Sequence, residues 1–334
     1  MKHACGNGSE ARIFRLKKRD QFLPSEVDFT TMSSERSVIA LDIQTKYQFC
    51  DTQGQVIHEY HLPGSPEIQN CGGYVDKLIK YRDPSLLAHL RTAGVSKESF
   101  NSPAFPILAT RSPQLDLLLF TLIRDIRSRT GDVRVSLFDH GCTVAEHFDL
   151  LDVMLQAVGP DRARDVLHYI GLDISALLLS AARLLHPDVE EEHFQLIRAE
   201  GSSVRLPERA FDLALTVGVI NHVADPSGTI KQLLQSIRCA AVMALWVTME
   251  ENGFYAINHS GNSTYFFSRN DLADLKKANP DARFLVADFI PERQSSQRRS
   301  YVGIDEARED TLGCYHLVFT RLDSDPFDLS EMVF

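Results

Sequence analysis

The chain of 334 residues has no run approaching the roughly 18 consecutive apolar residues that a membrane-crossing helix needs. Its opening, MKHACGNGSEARIF, lacks the apolar core of a signal peptide, so the expected location is cytoplasmic and no membrane partner is expected. The cysteines Cys5, Cys50, Cys71, Cys142, Cys239 and Cys314 are scattered without a CxxC pair. That pattern argues against a zinc site or a disulfide framework, fits a reducing compartment, and leaves no metal in the reading. Positive charge is also in short supply. Lys and Arg number 35 against 45 Asp and Glu, and the net charge of −10 repels phosphates and weighs against a nucleic-acid partner. Two basic segments, 15–19 (RLKKR) and 293–299 (RQSSQRR), read as solvated loops. There is no internal repeat and no low-complexity tract.

What is present is a globular pattern in two parts. Residues 1–30 are polar and aperiodic. Two β-rich runs then flank Asp51-Thr52-Gln53-Gly54, a turn sequence that reads as a hairpin. Residues 74–90 read as helical, interrupted at Pro84, whose ring and missing amide break a helix. From 114 to 129, Leu115, Leu118, Leu119, Leu122, Ile123 and Ile126 recur at helical spacing and mark one buried face. The expected division is an N-terminal α+β accessory region at 1–110, a main domain at 111–322 and an acidic tail at 323–334.

Strand and helix alternate through the main domain. The strands read at 134–139, 167–172, 194–199, 211–217, 240–248, 283–289 and 314–321. The helices read at 144–157, 175–186, 226–237 and 269–278. Such alternation predicts a mostly parallel sheet covered by helices on both faces, with its ligand site at the carboxyl ends of the strands.

The turns after those strands carry the chemistry. The first strand ends LFDHGCT, the second YIGLDIS, and the fourth runs into TVGVINHVADP. Between them lies AEGSSVRLPERAFD. Together these segments resemble class I S-adenosylmethionine-dependent methyltransferases, whose first motif is D-x-G-x-G-x-G. Asp139 and Gly141 match that motif, while Thr143 and Ala145 stand where the family prefers glycine for close backbone approach to the methionine part of the cofactor. Thr143 and Glu146 have the spacing of a capping box, with Thr143 as N-cap. The resemblance implies a Rossmann-like class I methyltransferase sheet of seven mostly parallel strands and S-adenosylmethionine as cofactor. Asp173 would accept hydrogen bonds from both ribose hydroxyls, Ile174 would lie against the adenine, and Val217 and Gly218 would border the cofactor. Ser202 stands where the family often has an aspartate for the adenine amino group, with Glu200 as a substitute.

On the substrate side, Asn221 and His222 would reach toward the acceptor, and His222 has the chemistry of a general base near neutral pH. Asp225-Pro226 would begin the next helix. The segment ENGFYAINHSGNSTYFFS reads as a loop whose Tyr255, His259, Asn262 and Tyr265 offer apolar walls and hydrogen-bonding groups. Ser268 to Asp271 reads as a second capping box.

Four motifs in order imply methyl transfer to an O, N or C nucleophile of a small molecule, by in-line displacement, in a biosynthetic role. A degenerate methyltransferase fold serving as a binding or regulatory subunit is the alternative, motivated by Thr143, Ala145 and Ser202. A relative that modifies the tRNA wobble uridine with a carboxylated cofactor is a further alternative, although Asn221 stands where its tyrosine belongs. The missing GxGxxG speaks against a nicotinamide-dependent oxidoreductase. Additions like residues 1–110 form a lid or a homodimer surface in this family, by analogy of fold.

Overall fold

The computed structural model describes residues 12–13, 47–50, 56–60, 74, 78, 81–100, 113–131, 134–199, 201, 204–258, 263–280, 282–291, 301–302, 304 and 311–321. In chain order the elements begin with strands β1 (Arg12–Ile13), β2 (Tyr47–Cys50) and β3 (Val56–Tyr60), then helices α1 (Pro84–Ala93), α2 (Lys97–Phe100) and α3 (Pro113–Thr130). Next come β4 (Val135–His140), α4 (Glu146–Val158), α5 (Ala163–Val166), β5 (Leu167–Asp173), α6 (Ala176–Leu185), β6 (Phe194–Arg198) and β7 (Phe211–Val217). A 3₁₀ turn (Ile220–His222) leads to α7 (Pro226–Ser236), β8 (Ile237–Thr248), β9 (Phe254–Asn258) and β10 (Ser263–Phe266). The chain closes with α8 (Arg269–Ala278), β11 (Ala282–Pro291), β12 (Tyr301–Val302) and β13 (Leu312–Arg321).

The fold is α/β with mostly parallel pairing among the central strands. The chain divides into two compact units. One takes Met1–Arg111 and Cys142–Val204, the other Ser112–Gly141 and Arg205–Phe334. The boundary read near 110 therefore falls where the chain passes between units, yet the first unit also contains residues 142–204.

In the first unit β5 pairs in parallel with β6, and β1 adds to β6 antiparallel. β2 and β3 form the expected antiparallel hairpin. The core gathers Tyr169 stacked on Phe194, with Phe148 edge-on to both. Tyr74, Leu78 and Tyr81 are helical, the helical pattern breaks at Arg82 and Asp83, and Pro84 opens α1, so the interruption falls at the proline as read. Asp83 is the N-cap of α1 and accepts from the Ser85 amide, which leaves proline at a first-turn position where its lost N–H costs nothing. α1 packs on α4 in the same unit.

In the second unit β4–β7 and β7–β8 are parallel, and β8–β13 and β13–β11 antiparallel. All six apolar positions read on one face of α3 are buried. Burial of a side chain of this size stabilises by about 1.5–3 kcal/mol relative to leaving it exposed. Asp212, buried at the start of β7, accepts from the Ser136 amide at 2.8 Å and from Arg238 Nε at 2.7 Å, a structural role. The segment read as a loop after β8 is instead a hairpin of β9 and β10, widened by β12 into three strands. Its inner face, Ala256 and Phe266, packs on Leu312, with Trp246 and Phe254 alongside. The alternation Phe-Tyr-Ala-Ile and Ser-Thr-Tyr-Phe sends every second side chain inward, and that burial makes a hairpin of a segment rich in polar groups.

Candidate active site

The turn after β4 is shaped as the glycine motif would shape it, but two non-glycine residues hold the shape. Gly141 has φ +80°, Thr143 +53° and Ala145 +61°. Left-handed backbone costs an L-residue about 1–2 kcal/mol, and a β-branched residue there is an outlier. Three hydrogen bonds within the first unit hold the turn: Cys142 N–H to Leu172 O at 2.9 Å, Thr143 N–H to Asp173 Oδ2 at 3.0 Å, and Ala145 N–H to Cys142 O at 2.8 Å. The expected capping box is absent. α4 starts at Glu146 with Ala145 as N-cap and no side-chain cap. The reason is geometric: with Thr143 itself left-handed, the turn carries on two residues further before helical φ and ψ begin. Thr143 Oγ1 is buried and has no hydrogen-bond partner among the described residues.

Asp173 ends β5, and each of its oxygens takes one backbone amide, Thr143 on Oδ2 and Ser175 on Oδ1 at 2.8 Å. The N-cap of α6 is Ser175, accepting from Leu178, so Asp173 is not the helix cap. An ionised carboxylate has about four acceptor positions, which suits it to hydroxyl donors. Ile174, next in sequence, is an apolar side chain 63 % exposed. Gly171 within β5 is fixed by close packing, since a Cβ there would stand 2.7 Å from Cys142 Sγ.

In the second unit, Asp139 is fully buried at the end of β4. Gly141 sits against Val219, where an added Cβ would lie 2.0 Å from Cγ2. Val217 closes β7, half-buried, and Gly218 follows with φ +66° and open space where a Cβ would point. The backbone is therefore bare on that side. Asp225 caps α7 through the Gly228 amide, with Pro226 in the first turn, as read from the sequence.

Asn221 does not reach toward an acceptor. It is completely buried, donates from Nδ2 to the carbonyls of Trp246 and Tyr265, and accepts the Trp246 amide on Oδ1 at 3.0 Å. Its amide group is spent on bracing the 3₁₀ turn to β8 and β10. His222, one residue on, is exposed, with Nδ1 2.9 Å from the Ser263 carbonyl. A carbonyl only accepts, so Nδ1 carries the proton and Nε2 is the basic nitrogen of the neutral ring. Tyr255 and Tyr265 are cross-strand partners on the outer face of the hairpin, ring centroids 4.8 Å apart. Tyr255 is exposed, and Tyr265 donates its hydroxyl to Asp271 at 3.1 Å. Burial first, then the Asp271 charge, pushes the Tyr265 phenol up to about 12. Ser268 and Asp271 complete the capping box of α8 as read. His259, Asn262, Glu200 and Ser202 lie outside the described residues, as do both basic segments.

Sequence reading missed one cluster altogether. Asp149 accepts from Arg82 Nε at 2.6 Å and contacts His186 Nε2 at 2.5 Å, beside a cleft of about 400 Å³ in the first unit. Burial alone would raise the Asp149 carboxyl, but the His186 and Arg82 charges and hydrogen bonds outweigh it and the net direction is down. The partners are 67 and 37 residues away, so no local pattern announces them.

Residues 141–243 match the model of a family described as a methyltransferase domain. The group such a domain would take is S-adenosylmethionine, and three features of the first unit are compatible with it. Asp173 is held in place at the end of β5 by two backbone amides. Ile174 presents apolar surface, and the Thr143 hydroxyl is buried without a partner among the described residues. No curated protein matches the chain. Among solved structures, the [4+2]-cyclase SpnF is similar over 60% of this chain and 80% of its own, at 15% identity and TM-score 0.42. The Burkholderia thailandensis 1,6-didemethyltoxoflavin-N1-methyltransferase is similar over 70% and 88%, at 14% identity and TM-score 0.41. Phosphoethanolamine N-methyltransferase 2 of Haemonchus contortus is similar over 60% and 52%, at 10% identity and TM-score 0.40. Among the described residues no helix is long and apolar enough to cross a membrane.

Proposed function

We propose that the protein transfers the methyl group of S-adenosylmethionine to an oxygen, nitrogen or carbon nucleophile of a small molecule in the cytoplasm. The observation that carries this reading is the Asp173 carboxylate, fixed at the end of β5 by two backbone amides within the segment that matches the methyltransferase-domain model. The bound cofactor supplies a methyl already activated as a sulfonium. The chain's work is then to hold and align the reactants. Asp173 would take the ribose hydroxyls, Ile174 the adenine face, and Asp139, Gly141, Val217 and Ser202 would complete the binding residues. His222 Nε2 is suited to take the proton of a hydroxyl or an acidic carbon; an amine with a free lone pair needs no such base. Tyr255, Tyr265 and His259 are the acceptor-side residues. The acidic chain favours a small metabolite over a polyanion.

Calorimetric titration with S-adenosylmethionine tests the reading, and absence of binding would sink it. The second reading, a binding or regulatory subunit without catalysis, is favoured by Thr143 and Ala145 in left-handed backbone. Transfer of labelled methyl into the small-molecule fraction of a cell extract, lost in His222→Ala, favours catalysis; binding without transfer favours the subunit. The tRNA-modifying reading gains no support, because Asn221 is buried and its amide is committed to backbone.

A further inference from the structure

The cleft beside Asp149 lies wholly in the first unit, and no residue assigned to the cofactor lines it. One wall, with Tyr81, Arg82, Pro84 and Leu87, comes from outside residues 141–243, so the segment that matches the family model does not form the cleft alone. Phe148, on another wall, sits edge-on to Tyr169. Tyr169 precedes Asp173 along β5 by about 13 Å at the usual rise of a strand.

The walls are apolar at Leu87, Phe148, Val153, Leu185 and Val189, and the buried charged groups are Asp149 and His186. The Asp149 carboxylate faces two cations. Arg82 Nε donates to Oδ1 at 2.6 Å, and His186 Nε2 lies 2.5 Å from Oδ2. His186 Nδ1 lies 2.6 Å from the Ala182 carbonyl, which only accepts. Burial works against the Asp149 charge, and the His186 and Arg82 contacts outweigh it, so the carboxyl stays ionised. With an acceptor opposite each ring nitrogen, both nitrogens carry protons and the ring is a cation. His186 is the C-cap of α6, where the helix end favours a positive group and offsets part of its charge. One carboxylate therefore stands against two cations, and positive charge is left in excess.

The other charged groups of the lining do not remove it. Arg162 and Asp152 pair with each other at 2.7 Å, and Asp83 is spent on the amide and hydroxyl of Ser85. Arg164 is exposed, with Asp165 at 3.9 Å, beyond hydrogen-bond distance. Arg82 uses two of its guanidinium donors, on Asp149 and on the Leu185 carbonyl, and a guanidinium has about five. Asp188 is exposed. Donors are thus left over at the cleft, while its buried carboxylate already has its partners.

We propose that this cleft is a second ligand site, for a small monocarboxylic acid with an apolar body. The carboxylate meets the unspent donors of Arg82 and Arg164, and the body lies on Leu87, Phe148 and Val153. A volume of about 400 Å³ suits a small molecule. Asp83 and Asp188 repel a polyanion, which favours a single negative charge over a phosphate. The inference does not depend on the methyltransferase reading.

The test titrates the full chain by calorimetry with benzoate, phenylacetate and isovalerate, each beside its uncharged amide, and with inorganic phosphate. At least one acid is expected to bind about tenfold or more tightly than its amide, and phosphate is expected not to displace it. Arg164→Gln, at an exposed position, should weaken that acid about tenfold, and Leu87→Trp, which fills the cleft, should abolish its binding. Thermal unfolding without ligand shows that each variant folds, and Arg164→Gln decides the matter if Leu87→Trp does not. Titration of the same variants with S-adenosylmethionine should match the wild type, so a failure of the methyltransferase reading is seen separately. NMR of the His186 ring should show both nitrogens protonated at neutral pH. The inference is overturned if no acid binds, if acid and amide bind alike, if the acid binds unchanged in Arg164→Gln, or if one ring nitrogen of His186 is bare.

Discussion

Gly141 and Val219 are packed so closely that a Cβ on the glycine would stand 2.0 Å from Val219 Cγ2 and 2.9 Å from its Cβ. The contact joins the turn after β4 to the segment after β7 within one unit. Gly141→Ala is therefore expected to lower the Tm and abolish cofactor binding, through collision and through its φ of +80°. Adding Val219→Ala removes the Cγ atoms and should restore part of the stability, though not all. Strictly additive losses in this double-mutant cycle would show that the two residues do not collide.

Asp173 has a fold-holding task and a proposed ligand-holding task in one carboxylate. Asp173→Ala deprives two backbone amides of their acceptor. At about 1–3 kcal/mol for each donor left unsatisfied, it should lose stability as well as affinity for S-adenosylmethionine. Asp173→Asn retains one acceptor oxygen and should lose less stability than the alanine variant. Unchanged calorimetric binding in Asp173→Ala would remove Asp173 from the cofactor site.

Asn221 braces backbone, so its truncation should be felt in folding. Asn221→Ala takes the acceptor from the Trp246 amide and one donor from each of two carbonyls in a fully buried place, a loss of about 1–3 kcal/mol in denaturant unfolding. A variant as stable as the wild type but defective in substrate affinity would instead return Asn221 to the acceptor site.

Tyr265 makes a prediction at alkaline pH. Its phenol is raised from 10.0 to about 12 by burial and by Asp271. The unfolded chain therefore ionises at lower pH than the folded one. Whatever stability the protonated form contributes is fully present below pH 10.0 and is lost as pH rises toward about 12. Tyr265→Phe should flatten the fall in Tm over that window. In the wild type, one phenol should ionise later than the exposed ones by ultraviolet titration. A variant with the same alkaline profile as the wild type would contradict this.

Much of the fold is legible locally. Strand runs, the apolar face of α3, Asp225-Pro226 at the start of α7 and the Ser268–Asp271 cap all repeat at short range, and short-range periodicity is what a sequence displays. The candidate site is legible where residue identity states the chemistry, as with Asp173 and His222. It is illegible where the partner is remote. The bonds of Asn221 to Trp246 and Tyr265 span 25 and 44 residues, and the Arg82–Asp149 pair spans 67.

The sequence by itself determined an alternating α/β chain with polar turns after its strands, because burial period and turn chemistry are local properties, and the order of those turns is what resembles a methyltransferase domain. Only the tertiary structure decided how the motif's missing glycines are accommodated. Thr143 and Ala145 take left-handed backbone because the carbonyl of Leu172 and the carboxylate of Asp173, brought alongside by β5, hold the turn there. Local propensity would have made that threonine a helix cap, and the hydrogen bonds from a strand thirty residues on outweighed it.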